Sequence, residues 1–199
     1  MALTTYAELK SAIADYLARS DLTTQIVDYI TLFEAAANRR LRVRQMETST
    51  TLTPSSGSAT LPTDYLMWRR VTWAGDTREE LEYVHPSYLQ AAYPTTPSGT
   101  PRLFTIEGTT LKVRPTSTTG LEFDYFQKVA ALSGTVNWLY TAHPDVYLYG
   151  SLAEAYMMLQ DIEKAVLWKS RRDEVFDEIE KLSFKTGGPS NIRLMGVTP

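Results

Sequence analysis

The chain has 199 residues, 43% hydrophobic and 22% charged, enough for one substantial core and too apolar for wholesale disorder. Its net charge of −3 gives no general attraction to nucleic acid, so any such contact must come from a local cluster. Cysteine is absent, which removes disulfides and thiolate metal sites, and no apolar run approaches the roughly 20 residues that a membrane-spanning helix needs. The opening residues, Met1-Ala2-Leu3-Thr4-Thr5-Tyr6, lack the basic start of a signal peptide, so the chain is expected to be soluble and not exported.

Thr5 before Tyr6-Ala7-Glu8 predicts a capped helix with Leu9, Ile13, Tyr16 and Leu17 on one face, Glu8 completing a capping box, and an end near Ser20. The tight Ser20-Asp21 connection predicts a helical hairpin. Its second arm is expected over residues 22–46, because Ile26, Ile30, Phe33, Ala37 and Leu41 recur at steps of three and four. Asp21 is placed to cap the start of this arm. Arg39, Arg40, Arg42 and Arg44 fall in its closing turns, where cations suit the negative end of the helix dipole. The cluster reads either as a solvated basic face or as a surface for a polyanion or an acidic partner.

Residues 48–63 are dominated by Ser and Thr and carry Pro54, Gly57 and Pro62, which predicts short strands over 49–53 and 58–61 around a turn. A strand over 66–73, with Met67, Trp68, Val71 and Trp73, ends at Gly75-Asp76 and is expected to pair with 80–84. His85-Pro86-Ser87 opens a short helix through Ala92, and a proline-rich loop follows over 93–101. Strands over 103–106 and 111–113 flank Glu107-Gly108-Thr109, a hairpin whose glycine supplies a positive φ. Leu121, Phe123 and Tyr125 alternate with Glu122 and Asp124 as a half-buried strand does.

From Pro144 the helical period returns, with Tyr149, Leu152, Tyr156 and Leu159 on one face. Asp161 is placed to cap a further helix bearing Val166, Val175, Ile179 and Leu182, so a second helical hairpin is expected. Gly187-Gly188-Pro189 stops it, leaving an extended tail. The fold class is therefore α+β: a helical bundle from the N- and C-terminal helices, a small antiparallel β-module inserted between them, and an extended C-terminal tail. The expected division is 1–47 as the N-terminal helical hairpin, 48–135 as the β-module, 136–184 as the helices completing the bundle and 185–199 as the tail, all within one structural domain.

Catalytic chemistry is not legible. His85 and His143 each precede a proline at a helix start, which favours structural roles, and neither has a second ligand at metal-binding spacing. The neighbouring carboxylates Glu79-Glu80 and Asp177-Glu178 would not face each other across a substrate, and no glycine-rich phosphate loop occurs. No catalytic residue, metal or cofactor is expected. Twelve tyrosines and four tryptophans supply area of the kind enriched at protein interfaces, although Trp68, Trp73, Trp138 and Trp168 each read first as core residues.

Five segments carry a resemblance. They are Tyr6-Ala7-Glu8-Leu9 with Ile13 and Leu17; the run from Glu34 through Ala35-Ala36-Ala37-Asn38 and the arginines to Met46; Leu61-Pro62-Thr63-Asp64-Tyr65-Leu66; Pro101-Arg102-Leu103-Phe104-Thr105-Ile106-Glu107-Gly108; and Asn137-Trp138-Leu139 with Asp145-Val146-Tyr147-Leu148-Tyr149. In this order and spacing the chain resembles the head-to-tail adaptors of short-tailed phages, also called connector or tail accessory proteins. The resemblance implies a structural virion protein of the neck, assembled in the host cytoplasm. It implies a ring, usually of twelve subunits, that docks under the portal after packaging, joins capsid to tail and continues the DNA channel. Its partners would be the portal protein, tail or nozzle proteins, further copies of itself and the genomic DNA, with no membrane. The tail residues Ile192, Arg193, Leu194, Met195 and Val197 are then expected to bind portal, and Arg39, Arg40, Arg42 and Arg44 to meet a neighbouring subunit or the DNA. Two readings of other classes stand beside it: a virion-associated peptidoglycan hydrolase, and a nucleic-acid-binding module using the arginine cluster.

Overall fold

A computed structural model of the chain describes residues 3–75 and 78–185. In chain order the elements are α1 (Tyr6–Leu17), α2 (Thr23–Arg40), β1 (Glu47–Leu52), β2 (Ser58–Thr60), β3 (Tyr65–Trp73), β4 (Glu82–Tyr83), α3 (Pro86–Ala92), β5 (Leu103–Glu107), β6 (Thr110–Arg114), β7 (Leu121–Gln127), α4 (Trp138–Ala142), α5 (Pro144–Met158) and α6 (Ile162–Lys185). The fold is α+β, as expected. The chain divides into two compact units: a helical one, Met1–Gln45 with Val129–Pro199, and a β-rich one, Met46–Lys128.

In the helical unit α1 starts on the expected capping box. The Thr5 hydroxyl accepts from the Glu8 backbone N–H at 3.2 Å, and the Glu8 carboxylate accepts from the Thr5 N–H at 2.8 Å. Hydrogen bonds from Thr4 and Thr5 hold the Glu8 carboxyl down to about 2. The start of α2 departs from expectation. Leu22 occupies its N-cap without a side-chain hydrogen bond, and Asp21 instead accepts from Arg19 Nε at 2.9 Å. An aspartate two residues from an arginine outside the helix has a charged partner at hand, and that pairing wins over the cap.

The helix also ends earlier than its periodicity suggested, at Arg40 rather than residue 46. Leu41 turns into extended backbone (φ −72°, ψ 133°) and buries its side chain completely. One guanidinium nitrogen of Arg42 then donates to the Asn38 carbonyl at 2.8 Å, satisfying a group that the stopped helix leaves open. Only Arg39 and Arg40 therefore lie in the last turn.

α5 is the central helix. Val146, Tyr147, Leu148, Gly150, Ser151, Leu152, Ala153 and Ala155 are all buried, so it has no polar stripe over most of its length. Of the expected face only Leu152 is fully buried; Tyr149, Tyr156 and Leu159 are half-buried. The reason is that α1, α2, α4 and α6 all pack on α5. Gly150 permits the α2 contact, since a Cβ there would come within 1.9 Å of the Phe33 ring.

Asp161 caps α6 as expected, accepting from the Lys164 N–H at 3.2 Å. The face it buries is different: Ala165, Arg172, Phe176 and Ile179 are inside, while Val166 and Leu182 are exposed.

A polar network ties the returning chain to α2. The buried Glu34 carboxylate accepts from the Leu132 N–H at 2.6 Å and the Tyr147 hydroxyl at 3.2 Å, and Asn38 Oδ1 accepts from the Val129 N–H at 2.8 Å. Asn137 donates to the Ala130 carbonyl and the Tyr147 hydroxyl, each at 2.6 Å, and accepts from the Tyr140 N–H to cap α4. Burial pushes the Glu34 carboxyl above its ordinary value despite the two hydrogen bonds.

In the β-rich unit one sheet has the order β1-β7-β3 and the other β2-β6-β5-β4, antiparallel except where β4 runs parallel to β5. The expected hairpin forms between β5 and β6, with Gly108 at φ 58°. Two expected pairings do not. β1 and β2 are not partners across their turn: β1 pairs with β7, Thr50 opposite Phe123, and β2 pairs with β6, Ala59 opposite Leu111. β3 likewise pairs with β7, Val71 opposite Phe123; the following segment meets it at the bridge Thr72–Glu80, where the Leu81 N–H donates to the Val71 carbonyl at 2.8 Å, and through the stacked rings of Trp68 and Tyr83, while Glu82 and Tyr83 pair with β5.

β7 attracts both partners because it is the strand with most to bury: Leu121, Phe123, Tyr125 and Phe126 are all inside. Its end is fixed by Asp64, whose carboxylate accepts from the Tyr125 hydroxyl at 3.0 Å and whose carbonyl accepts from the Lys128 N–H at 2.7 Å. Burial and that carboxylate push the Tyr125 hydroxyl up to about 12. All four tryptophans are half-buried rather than central.

Candidate functional site

The arginine cluster separates into unlike residues. Arg40 reaches from α2 to three carboxylates of α6: Asp173 at 3.1 Å, Asp177, and Glu180 at 3.6 Å, with its guanidinium over the Phe176 ring. Arg42 is half-buried and serves the end of its own helix. Arg44 is exposed, and its backbone N–H donates to the Ser183 hydroxyl at 3.1 Å. Arg39 is exposed and forms no ion pair among the described residues.

Arg39 sits on the rim of a groove of about 240 Å³ in the helical unit, floored by Ala36, Ala153 and Ala165. Lys169 stands on the same rim, and Met157 lines it. Deeper in, Arg172 is paired with Asp173 at 2.9 Å and faces Glu154 at 3.8 Å, so one of its three cations is neutralised and the two on the rim are not. Around the α5–α6 turn the large apolar side chains Met157, Met158, Ile162, Val166 and Leu167 are about half exposed or more, from 49% to 65%. A soluble domain does not need such a group together, and groups of this kind mark contact surfaces.

Sequence reasoning singled out the arginines and missed Lys169 and Met157. An exposed lysine or methionine on a helix carries no local signal; only the packing of α2, α5 and α6 sets them beside Arg39. The expected portal-binding residues Ile192, Arg193, Leu194, Met195 and Val197 lie outside the described residues.

On the β-rich unit the outer face of the three-stranded sheet pairs its own charges, Arg69 with Glu47 at 3.3 Å and Arg70 with Asp124 at 2.8 Å. His85 caps α3, its Nδ1 accepting from the Ser87 N–H at 3.3 Å. Among the described residues no cluster of three His, Asp or Glu side chains could hold a metal ion, and no helix is long and apolar enough to cross a membrane.

Among its described residues the helical unit thus presents exposed cations beside exposed apolar side chains on packed helices. The chain belongs to the SU10 adaptor protein family, whose signature matches residues 4–193, a family of phage head-to-tail adaptors. No curated protein matches it. It is thus a phage adaptor, a structural component of the virion that interacts with portal and tail components.

Proposed function

We propose that the chain assembles into a ring of twelve subunits beneath the portal, joining capsid to tail and continuing the DNA channel. The family match over residues 4–193 carries this reading. In it the helices form the packed body of the ring, and the β-rich unit meets neighbouring subunits or the tail. The segment after Gly187 reaches the portal. Ten extended residues span roughly 33 Å, and alternate side chains from Ile192 to Val197 could enter pockets on a portal subunit while the backbone adds a strand to an exposed edge. Ordering costs about 1–2 kcal/mol per residue, so the apolar anchors must supply most of the binding free energy. The adaptor role makes a structural rather than a catalytic function the reading for this chain. The nucleic-acid-binding alternative is weakened where Arg40 and Arg42 are engaged by carboxylates and carbonyls of their own chain.

Deleting residues 190–199 tests the tail directly. The truncated chain is expected to melt within about a degree of the full one, since a terminal segment without its own core adds little, and to lose portal binding in a pull-down. Undiminished portal binding would remove the tail from this role. An electron micrograph of the neck tests the ring and its copy number.

A further inference from the structure

The groove of about 240 Å³ in the helical unit lies where three helices each contribute an alanine: Ala36 from α2, Ala153 from α5 and Ala165 from α6. Three methyl groups where helices meet leave a depression among longer neighbours that the ridge of another helix can enter. Its volume is small for an organic ligand and enough for a few side chains of another protein.

The charges around it do not cancel. Three cations line it, Arg39, Lys169 and Arg172, against one carboxylate among the described lining residues, Glu154. Arg172 is engaged within the fold, by Asp173 at 2.9 Å and by Glu154 at 3.8 Å. Arg39 on α2 and Lys169 on α6 form no ion pair among the described residues, so the groove keeps two open positive charges on different helices. Beside them the surface is apolar. Met157 is 49% exposed, and Ile162 and Val166, which share the Lys169 flank of α6 at steps of four and three, are 57% and 59% exposed.

An acidic protein segment and a nucleic acid both answer such a charge, and the neighbouring turns decide between them. Beyond Lys169 the same flank of α6 carries Asp173, Asp177 and Glu180, three carboxylates that share Arg40. Lys169 and Asp177 are about 12 Å apart along the helix, no more than the width of a major groove. Duplex DNA seated on Lys169 therefore meets these carboxylates as well, whereas a phosphate backbone calls for an unbroken run of cations. A single helix lying over the groove avoids them, and its apolar stripe finds the exposed methionine and valine. The outer face of this chain's own α6 does not qualify as that helix, since Arg171 pairs there with Glu174 at 3.1 Å and Lys181 is exposed.

We infer that the groove binds an acidic amphipathic helix of a partner protein, with carboxylates between Arg39 and Lys169 and apolar side chains against Met157 and Val166. Cysteine is absent from the sequence, so a single thiol placed beside the groove has no background. The full-length Met157→Cys chain is offered three disulfide-activated amphipathic peptides, each about four turns long. They are alike except that two positions one turn apart carry Glu, Gln or Lys, and labelling is followed by mass spectrometry. The Glu peptide is expected to label at least about tenfold faster than the Gln peptide, and the Lys peptide slowest. At Tyr88→Cys, an exposed position on α3, the Glu and Gln peptides should differ by less than about twofold in about 0.15 M salt, where distant charges are screened.

Adding Arg39→Glu or Lys169→Glu to the Met157→Cys chain should remove the preference for the Glu peptide, and both together should transfer it to the Lys peptide. Ala36→Leu, which fills the groove without changing its charge, should slow the Glu peptide as well. Circular dichroism melts check that each variant is folded. A Glu peptide no faster than its Gln twin, a preference that survives the charge reversals, or labelling unchanged by Ala36→Leu overturns the inference. So does a shift of duplex DNA by the wild-type chain that Lys169→Glu abolishes. The free chain is used throughout, so failure of the groove to take the peptide leaves the ring reading standing.

Discussion

The two units reach their stability by different routes. The β-rich unit is one continuous stretch, Met46–Lys128, around an apolar cluster of Leu52, Val71, Phe104, Val113, Leu121 and Phe123. The helical unit is built from both ends of the chain, and the returning segment is held to α2 by the buried Glu34 carboxylate and by Asn38, and braced within itself by Asn137, as well as by apolar packing. A contiguous unit can rely on non-directional burial because its parts are never far apart. A unit that must recapture a distant segment gains from hydrogen bonds that fix where the segment lands, since an unmatched buried donor or acceptor is costly.

Cutting the chain gives the largest effect on this comparison. Residues 46–128 alone are expected to unfold cooperatively in urea, whereas the helical unit split into separate 1–45 and 129–199 peptides should not fold at micromolar concentration. A disordered 46–128 fragment would break the comparison.

Next comes the contact of α2 with α5. Phe33→Ala should cost about 3–5 kcal/mol and Gly150→Ala about 1–3 kcal/mol through overpacking. Because the methyl group would enter the space that the ring vacates, Gly150→Ala should be nearly neutral in the Phe33→Ala background. Urea titration of the four chains measures this coupling, and simple additivity would show that the two residues do not share one space.

The polar network is sharpened by Glu34. Glu34→Ala leaves the Leu132 N–H and the Tyr147 hydroxyl short of an acceptor and should cost about 1–3 kcal/mol. Glu34→Gln keeps an acceptor and removes a buried charge, so it should cost less. With its folded pKa raised, Glu34 contributes stability that is full below its unfolded pKa of about 4.3 and is lost as pH rises through the folded value. Stability between about pH 4.5 and neutrality should therefore depend less on pH in Glu34→Gln than in the parent. Glu8 and Asp21, held at about 2, act in the opposite sense: their contributions are present above the ordinary carboxylate range and fade as pH falls toward 2.

The smallest effects separate two adjacent arginines. Arg40→Ala breaks partly exposed ion pairs and should cost up to about 1 kcal/mol. Arg39→Glu should change the melting free energy by less than about 0.5 kcal/mol while lowering the yield of assembled particles. An unchanged yield would count against Arg39 as a contact residue.

The sequence by itself determined what is local. The capping box at Thr5 and Glu8, the Asp161 cap, the Gly108 hairpin and the proline at the start of α3 depend on residues within a few positions of one another, and each formed as its pattern required. The family resemblance was legible too, and several of its residues prove to be fastenings: Glu34 and Asn38 on the returning chain, Asp64 at the end of β7, and Asn137 at α4. Tertiary structure alone decided what depends on distant partners. β1 chose β7 across some 70 residues because β7 had the largest apolar face to cover. α5 lost its polar side because four helices surround it. Arg39 and Arg40, neighbours with the same charge, were assigned opposite roles by the approach of α6, which brought carboxylates to one and an alanine-floored groove with Lys169 to the other. Periodicity reports which face a helix can bury, but which side chains remain outside is set by how many neighbours arrive, and that is a property of the assembled fold.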